Sequence, residues 1–440
     1  MSNLNLIPIG KLFDLEKGSL QSSKCTEGEY TFITAAEEWK THNEYSHECE
    51  ALIFAAAASG SLGRTHYIND KFITSDLCFI LTPKDSKKYP INLKFYHFVF
   101  NSLKDEIVKN TKSGTSKESI NQSNLRNYEI PYFEIDKQNL WIDKLVNTKS
   151  IKEDLELELS SGQSLLKQLK QTILQEAIEG KLTEKWRVKN PDIGTAKELL
   201  EQIKTEKEKL IKEKKIRPSK PLSPINEDEI PFDIPQNWEW CRLGDISFVG
   251  TGATPLTSEP KYYNGDINWI TSSATGADFV TEAETKITEL ALKETNCQIY
   301  PIGTLVIAMY GQGKTRGQIT ELMIDSATNQ ACAAISIYLK DKALNQFIKK
   351  YFQKIYLEIR ELASGGAQPN LNMQKVKDTM IALPPLEEQK EIVATIEKLF
   401  TLCNELESEI NQNKVTVDNL MATVLKEAFE TKENIHEYKA

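Results

Sequence analysis

The sequence lacks the features that define several classes of protein. Its seven cysteines include no Cys-x-x-Cys pair, and its five histidines are scattered without the spacing of metal ligands. No apolar run approaches the roughly 20 residues that cross a bilayer. Residues 1–11 lack the basic region and apolar stretch of a secretion signal. We therefore expect reduced thiols in a cytoplasmic protein, with no disulfide framework, no zinc site and no membrane contact.

The sequence also lacks the surplus of positive charge that is typical of DNA-binding proteins. Its net charge is −9, with 16 basic and 18 acidic residues in 1–140 and 14 basic and 16 acidic residues in 232–383. Residues 196–221 are the basic exception, with nine basic and five acidic side chains. They predict a solvated helix and a proline-containing linker, with direct phosphate contact as the alternative. Any DNA binding would depend on local loops or on a more positive partner subunit.

The chain contains an internal repeat. LKQTILQEA at 169–177 aligns with LMATVLKEA at 420–428, an offset of 251 residues that also aligns Gly60 with Gly311 and Gly114 with Gly365. Near the start the offset is 234, where Ile9 aligns with Leu243. Each half has the same order of a globular segment, a Ser-Gly loop and a long helix. We therefore predict two copies of one mixed domain, each followed by a helix.

Local patterns place both strands and helices in each copy. Short apolar runs at 51–55, 79–81 and 304–308 predict strands. Apolar residues three and four apart at 95–108 and 344–362 predict helices. The fold class is therefore α+β, with two pseudo-repeated mixed α/β domains.

Two long helices are predicted, the first over 151–182 and the second after Pro384 and Pro385. Apolar residues along the second helix alternate steps of three and four, which is a heptad seam that Asn413 interrupts, either to set the register or as a solvated position. One sequence does not separate a seam that joins the helices from a face that binds a partner. The residues concerned are Leu166, Leu169, Ile173, Leu174, Ile178, Ile396, Leu399, Leu406, Ile410, Val417, Leu420 and Val424.

Three patterns resemble catalytic motifs but do not fit them. Residues 311–315, GQGKT, suggest a phosphate-binding loop, but Ala308 stands where its first glycine should be and a strand is predicted to follow. Asp192 with residues 213–215 resembles the carboxylates of a nuclease, but the second element lies in a Lys/Glu-rich helical run. Residues 383–386, LPPL, lack the polar residue that precedes Pro-Pro in adenine methyltransferases. We therefore predict no catalytic residue in this chain.

Four segments resemble the specificity subunits of Type I restriction-modification systems. They are QLKQTILQEAIEGKLTEKW at 168–186, IPQNWEWCRLG at 234–244, GGAQPNLN at 365–372 and LPPLEEQK at 383–390. The first domain matches more loosely, through IPIG at 7–10 and NLRNYEIP at 124–131. The resemblance covers the central helix and the whole second half.

This resemblance divides the chain into functional parts. It implies a first target-recognition domain at 1–145, a central long helix at 146–190, a charged helix and linker at 191–231, a second target-recognition domain at 232–384, a distal long helix at 385–432 and a tail at 433–440. The long helices would pack as an antiparallel coiled coil that fixes the spacing between two half-sites.

The resemblance also implies partners and cofactors. Each domain would read one half of a split site in double-stranded DNA through loops in the major groove. The helices would bind two methyltransferase subunits that methylate adenine, and a motor-endonuclease subunit would join for cleavage. S-adenosylmethionine, ATP and Mg²⁺ would bind to these partners, and no cofactor or metal to this chain.

Candidate DNA contacts lie in loops after the predicted strands and before the helices. Arg and Gln pair with base edges, whereas Lys, Ser and Thr hold phosphates. The candidates are Ser59, Ser61, Arg64, Thr65, Lys112, Ser113, Thr115 and Lys117 in the first domain, and Thr251, Thr254, Tyr310, Gln312, Lys314, Arg316, Gln368 and Asn370 in the second. For each of them an exposed or capping loop residue is the alternative.

Two other functions stay open. A protein-interaction scaffold that never reads DNA is favoured by the acidic balance, whereas the duplicated Gly/Ser loops with Lys, Arg and Gln favour DNA reading. A nucleotide-hydrolysing enzyme built on residues 311–315 would require Lys314 for nucleotide binding.

Overall fold

The computed structural model describes residues 5–57, 60–113, 118–218, 220–310, 315–364 and 371–430, with the side chains of 359–364 and 430 left out. The chain forms two compact units, Met1–Gly162 with Glu409–Ala440, and Gln163–Ser408. Each unit contains one globular domain and a portion of two long helices. No helix in the described ranges is long and apolar enough to span a membrane.

The first domain combines a twisted sheet with short helices. Its strands are β1 (Leu6–Pro8), β2 (Phe13–Lys17), β3 (Tyr30–Ile33), β4 (Lys40–His42), β5 (His47–Ala55), β6 (Thr65–Thr74), β7 (Cys78–Pro83), β8 (Lys112–Ser113), β9 (Ser119–Ile120) and β10 (Glu129–Pro131). Its helices are α1 (Ile9–Leu12), α2 (Leu93–Ser102), α3 (Lys104–Thr111) and α4 (Gln122–Asn127). The main sheet has the order β2-β7-β5-β6-β3-β4, and the pairs β1–β10 and β8–β9 are separate.

Strand β5 is buried on both of its faces. Because side chains alternate along a strand, Leu52 and Phe54 enter the core under α2, while Ala51, Ile53 and Ala55 enter a second cluster on the other face. This burial explains the uninterrupted apolar run and confirms the predicted strand at 51–55. The strand predicted at 79–81 is confirmed as part of β7.

The predicted helix at 95–108 is in fact two helices. The chain turns at Leu103, between α2 and α3, and the Leu103 amide donates to the carbonyl of Val99. This turn allows Val99 and Phe100 of α2 and Ile107 of α3 to be buried in one core. A periodicity pattern does not detect the change of direction, since both helices contribute apolar residues to that core.

The second domain has the same kinds of element. Its strands are β11 (Glu239–Arg242), β12 (Ser247–Thr251), β13 (Tyr263–Ile270), β14 (Phe279–Val280), β15 (Thr285–Ile287), β16 (Ile299–Tyr300), β17 (Leu305–Ala308), β18 (Ile319–Leu322), β19 (Ser326–Thr328), β20 (Cys332–Ile337) and β21 (Met380–Leu383). In chain order, the remaining helices are α5 (Ile135–Ile178), α6 (Glu184–Lys189), α7 (Ala196–Lys212), α8 (Leu243–Ile246), α9 (Glu289–Glu294), α10 (Lys342–Ser364), α11 (Met373–Asp378) and α12 (Leu386–Glu430).

Three sheets organise the second domain. They have the orders β12-β20-β17-β18-β14, β15-β13-β19-β16 and β11-β21. The predicted strand at 304–308 is confirmed as β17, which begins at Leu305, and the predicted helix at 344–362 is confirmed within α10.

The internal repeat is visible in the element boundaries. Helices α4 and α11 begin at Gln122 and Met373, and α5 and α12 begin at Ile135 and Leu386. Both pairs keep the offset of 251. Helix α8 and strand β12 repeat α1 and β2 at the offset of 234. In each copy an antiparallel pair, β1–β10 or β11–β21, joins the start of the domain to the strand that precedes the long helix.

The first long helix differs from its predicted range of 151–182. It begins at Ile135, directly after β10, and ends at Ile178. Gly180 has a left-handed φ of 74°, and the Lys181 amide donates to the carbonyl of Glu176. A left-handed glycine that satisfies a free carbonyl is a common helix end. The pattern of apolar residues continues past Gly180 into a turn and α6, which explains the overextended prediction.

Within each unit the two long helices run antiparallel. In the first, Lys144 is paired with Glu427, and Gly162 lies next to Ile410. In the second unit, Lys170 of α5 is paired with Glu407 of α12 at 2.7 Å, and Thr183, just after the end of α5, donates to Glu388 at the start of α12. The antiparallel arrangement implied by the resemblance is therefore present in each unit.

A buried glutamine anchors the first turn of each long helix. Gln138 and Gln389 are fully buried and again differ by the offset of 251. Each donates its side-chain amide to a carbonyl five residues earlier, that of Phe133 or Pro384. Gln138 also accepts from the Asn92 amide. These bonds fix both helices to the strands that precede them.

A buried glutamate makes a second anchor in the unit Gln163–Ser408. Glu388 is fully buried and accepts hydrogen bonds from Thr183 at 2.7 Å and from the indole of Trp238 at 2.9 Å. Arg187 forms an ion pair with the same carboxylate and also donates to the carbonyl of Gly180. One charged group thus ties the end of α5, the start of the second domain and α12 together.

Replacement of Glu388 by alanine should strongly destabilise the protein. It leaves the cation of Arg187 and the indole of Trp238 without their acceptor, and breaking a buried ion pair costs about 3–5 kcal/mol. The measurement is urea unfolding of the purified variant, followed by circular dichroism.

The neighbouring variant Glu387→Ala is the matched control, since Glu387 is exposed and, among the described residues, forms an ion pair with Lys390 alone. It should change the free energy of unfolding by less than about 1 kcal/mol. Equal effects of the two substitutions would contradict the anchoring role of Glu388.

Candidate nucleic-acid interface

The structure brings two predicted contact segments of the first domain together. Residue Ala57, after β5, forms an antiparallel bridge with Ser119, and the Ile120 amide donates to the carbonyl of Ala56 at 2.8 Å. The turn before β6 and the β8–β9 hairpin therefore lie side by side. No local sequence pattern predicts this pairing, because Ala57 and Ser119 are far apart along the chain.

Arg64 is held in place at the end of its turn. Its guanidinium donates to the carbonyl of Ala35 and to the hydroxyl of Ser61, both at 3.3 Å, and is 3.7 Å from the exposed carboxylate of Glu37. Thr65 is almost fully buried, and its hydroxyl donates to the carbonyl of Gly63. Thr65 thus supports the turn from within, whereas Arg64 is half-buried with its charge near the surface.

The β8–β9 hairpin presents polar side chains to solvent. Lys112 and Ser113 are exposed. Lys112 is paired with Glu118 at 2.7 Å, and the Ser113 hydroxyl donates to the carbonyl of Ser119. A phosphate that bound Lys112 would have to compete with this exposed ion pair, which is a weak interaction.

The second domain brings Thr251, Thr254 and Tyr310 to one edge of its sheet. The Thr251 hydroxyl donates to the carbonyl of Cys332 at 2.8 Å, and the Thr254 hydroxyl donates to the side-chain carbonyl of Gln330. The Met309 amide donates to the carbonyl of Ala331. The Tyr310 side chain, which follows, is 49% exposed. Sequence reasoning missed Gln330, whose only signal is its place just before a strand of the same sheet.

A buried tyrosine forms a hydrogen bond to the backbone at this edge of the sheet. The Tyr300 hydroxyl donates to the carbonyl of Thr251 at 2.9 Å. Burial raises the pKa of Tyr300 and raises the pKa of the Cys332 thiol to about 12. Both groups are therefore neutral at physiological pH, so that neither adds charge to the interface.

The segment after β17 is a hairpin connection between strands. Strands β17 and β18 pair antiparallel, and the Gly317 amide donates to the carbonyl of Ala308. Arg316 is half-buried beside this closure. A phosphate-binding loop requires a helix immediately after it. Here β18 begins at Ile319, and the described residues 315–318 contain no helix.

Several predicted contacts cannot be placed. They lie outside the described residues and comprise Ser59, Thr115, Lys117, Gln312, Lys314, Gln368 and Asn370. The nuclease-like residues, by contrast, are described, and Glu213 is the C-cap of α7 rather than part of a sheet. Within the described ranges no three His, Cys, Asp or Glu side chains group as metal ligands would.

The predicted helix seam separates into buried and exposed residues. The buried members are Leu166, Ile173, Leu174 and Ile178 on α5 and Ile396 and Val417 on α12, while Leu399, Ile410, Leu420 and Val424 are half-buried. Leu169 and Leu406 are instead about half exposed, as are Leu165 and Leu402 one turn earlier on each helix. Asn413 is also exposed, which agrees with the solvated alternative. Leu169 and Leu406 are therefore not part of a buried seam, and their assignment to a partner stays a prediction.

The family model for the Type I restriction modification DNA specificity domain matches residues 1–160 and 235–414. The chain belongs to this family. The match covers both copies of the repeat and confirms the resemblance described above. Two matches in one chain also agree with the repeated element boundaries.

Curated relatives of this specificity-domain protein share its family. It is 28% identical over 259 residues to the Type I restriction enzyme EcoEI specificity subunit of Escherichia coli, an alignment that covers 56% of this chain and 42% of that protein. It is 22% identical over 437 residues to the EcoDI specificity subunit of Escherichia coli, covering 96% and 87%. The chain thus spans about two fifths of the EcoEI subunit but most of the EcoDI subunit.

Solved structures share the fold. A chain of a type I R-M system, solved for its complex assembly and conformational transition, superposes with a TM-score of 0.68 at 14% identity and 98% coverage of both chains. The HsdS subunit from Thermoanaerobacter tengcongensis superposes with a TM-score of 0.55 at 14% identity and 97% coverage of both. These likenesses confirm the α+β fold with two domains and long helices.

Alanine at position 252 should disturb the edge that carries Thr251 and Thr254. A Cβ on Gly252 would lie 1.6 Å from the carbonyl oxygen of Thr328, a backbone atom that cannot move aside. Overpacking of this kind costs about 1–3 kcal/mol. Thermal unfolding of Gly252→Ala should show a clearly lower midpoint.

Gly276→Ala is the matched control in the same domain. Of the side chains that the structure describes, its Cβ would meet only the flexible Gln318, at 3.8 Å. This variant should unfold at nearly the same temperature as the unaltered protein. A Gly252→Ala protein as stable as this control would refute the proposed close approach.

Proposed function

We propose that this chain is the DNA-sequence-specificity subunit of a Type I restriction-modification complex. In this proposal each globular domain reads one half of a bipartite site in double-stranded DNA. The observation that carries it is the duplication itself: one family domain occurs twice, and each copy gathers polar loop residues beside a sheet. A protein that reads two half-sites needs two such domains, and one chain that contains both can hold two identical partners.

The proposed contacts are those of the two loop clusters. In the first domain they are Ser61, Arg64, Lys112 and Ser113, with Thr65 as a supporting residue. In the second they are Thr251, Thr254, Tyr310 and Arg316, together with Gln330. The acidic net charge of −9 makes us expect weak DNA binding by the isolated chain, because phosphate neutralisation provides much of the affinity of such proteins.

The long helices supply the proposed binding surface for partners. The exposed pairs Leu165–Leu169 and Leu402–Leu406 present apolar side chains four residues apart, on one face of each helix. We assign this face to two methyltransferase subunits, and we expect a motor-endonuclease subunit to join the complex for cleavage. The helices would also set the spacing between half-sites. The proposed DNA partner and the bacterial relatives make the cytoplasm the expected location.

No chemical step is assigned to this chain in the proposal. S-adenosylmethionine would bind to the methyltransferase subunits, and ATP and Mg²⁺ to the motor-endonuclease. This chain would contribute the position of the complex on DNA, so that adenines at a fixed place in each half-site are methylated.

Deletion of this chain in its host tests the proposal directly. We expect a split, adenine-methylated motif to disappear from the sequenced methylome, and a tagged copy to recover a methyltransferase. An unchanged methylome together with recovery of unrelated proteins would contradict the proposal and support a protein-interaction scaffold instead.

Arg316→Ala should weaken specific DNA binding by the complex assembled with its methyltransferase. Loss of one bidentate contact to a base costs about 1–3 kcal/mol of discrimination. The measurement is the ratio of affinities for the methylated motif and for DNA with one altered base pair. Arg316→Lys should restore this ratio only in part, because an ammonium is a point charge without the rigid planar fork of the guanidinium.

Lys293→Ala provides a control in the same domain. Lys293 is exposed and lies near Glu289 on the surface of α9. This variant should leave the ratio of affinities unchanged. If Arg316→Ala also left the ratio of affinities unchanged, because it weakened specific and nonspecific binding equally, Arg316 would not be a base contact.

A further inference from the structure

An aromatic groove lies in the first unit. Its volume is about 500 Å³, and it is open to solvent. Rings from three elements line it: Trp39 from the turn before β4, His66 and Tyr67 from β6, and His97 and Phe98 from α2. Lys94 of α2 and Lys149 of α5 add positive charge at its edges. We refer to these seven residues as the aromatic groove.

The exposed indole of the groove is held in place. Trp39 is 42% exposed, yet its ring nitrogen donates to Nδ1 of His66 at 3.3 Å and the two rings meet edge to face with centroids 5.7 Å apart. His66 in turn donates through Nε2 to the carbonyl of Ala36 at 2.9 Å. Both nitrogens of His66 are therefore committed, and the indole is held by its ring nitrogen while Trp39 stays partly exposed.

The two imidazoles contribute neutral rings. Burial lowers the pKa of His97 to about 4, assisted by the nearby charge of Lys149. Burial also lowers the pKa of His66. At pH 7 the positive charge of the groove therefore comes from its lysines, and the histidines present flat, uncharged surfaces.

The lysines are placed beside the rings. The ammonium of Lys94 lies 5.7 Å from the ring centre of Tyr67. Lys94 forms no ion pair with the described residues, and Lys149 is held only loosely by Glu153 at 3.8 Å. Tyr67 itself donates to the exposed carboxylate of Glu50 at 2.8 Å, so that the acidic group lies at the Tyr67 hydroxyl. An anionic ligand would therefore bind with its charge towards the lysines.

We propose that the aromatic groove binds a nucleotide, with the base against the rings of Trp39 and its neighbours and the phosphate at Lys94 and Lys149. Stacking of a base on an aromatic side chain contributes about 1–3 kcal/mol and suits any base. An ammonium is a good ligand for phosphate, and a volume of this size is within the usual range of small-molecule sites. The nucleotide is either free or an unpaired unit of a nucleic-acid strand. This inference does not rest on the proposed reading of duplex DNA.

Calorimetric titration of the full chain tests the proposal. The probes are adenosine 5′-monophosphate, inorganic phosphate, a single-stranded eight-nucleotide oligodeoxyadenylate and the same oligomer as a duplex. Binding of the monophosphate identifies a free nucleotide as the ligand. Binding of the single strand alone identifies an unpaired unit. Binding of neither, or equal binding of inorganic phosphate, overturns the proposal.

Substitutions at two residues locate the binding in the aromatic groove. Trp39→Ala should weaken binding of the successful probe about tenfold or more, since a stacking surface is lost, whereas Trp39→Phe should recover part of the loss. Lys149→Gln should weaken it several-fold. The matched control is Lys152→Gln, one turn further along the same helix, where Lys152 has the corresponding pair with Glu156 at 3.5 Å.

The variants also separate this proposal from that of DNA-sequence reading. If Lys152→Gln weakens binding as much as Lys149→Gln, or if Trp39→Ala has no effect, the aromatic groove is not the site. Sequence-specific duplex binding by the assembled complex is measured in parallel. Loss or retention of this duplex binding tests the reading of half-sites and does not test the nucleotide site.

Discussion

The fold depends on how a globular domain fixes the direction of the long helix that leaves it. Most of the stability of a helix in a protein comes from tertiary packing, and an error of direction at the first turn shifts the far end of a helix of 44 or 45 residues. Gln138 and Gln389 solve this problem in the same way, each buried and bonded to the carbonyl five residues before it. In the second unit Glu388 adds a buried charge with three donors. These bonds fix the direction of each long helix relative to the domain that precedes it in the chain.

Much of the fold could be predicted from the sequence because the sequence contains an internal repeat. Local similarity between 169–177 and 420–428 revealed the repeat, and buried apolar runs such as that of β5 identified strands. The start of α5 could not be found in this way, since β10 leads into the helix without a clear capping signal. The end was also missed, because only the backbone conformation of Gly180 stops the helix.

The candidate interface was predicted only in part. Residue types indicated loops with DNA-contacting chemistry, but the neighbourhood of Ala57 and Ser119 and that of Thr254 and Gln330 depend on tertiary pairing. No pattern along the chain reports such a pairing. The same limit applies to the long helices, where the heptad pattern did not distinguish the buried Ile396 from the exposed Leu406. When a helix carries apolar residues on two faces, the spacing of those residues along the sequence does not show which face each residue belongs to.

The most direct test exchanges one half of the repeat. Residues 239–383, from the start of β11 to the end of β21, would be replaced by the corresponding domain of a family member with a different target, and the methylome of the host sequenced. If each domain reads one half-site, one half of the methylated motif changes while the other half and the spacing stay the same. A motif that changes in both halves, or does not change at all, would contradict the assignment of one half-site to each domain.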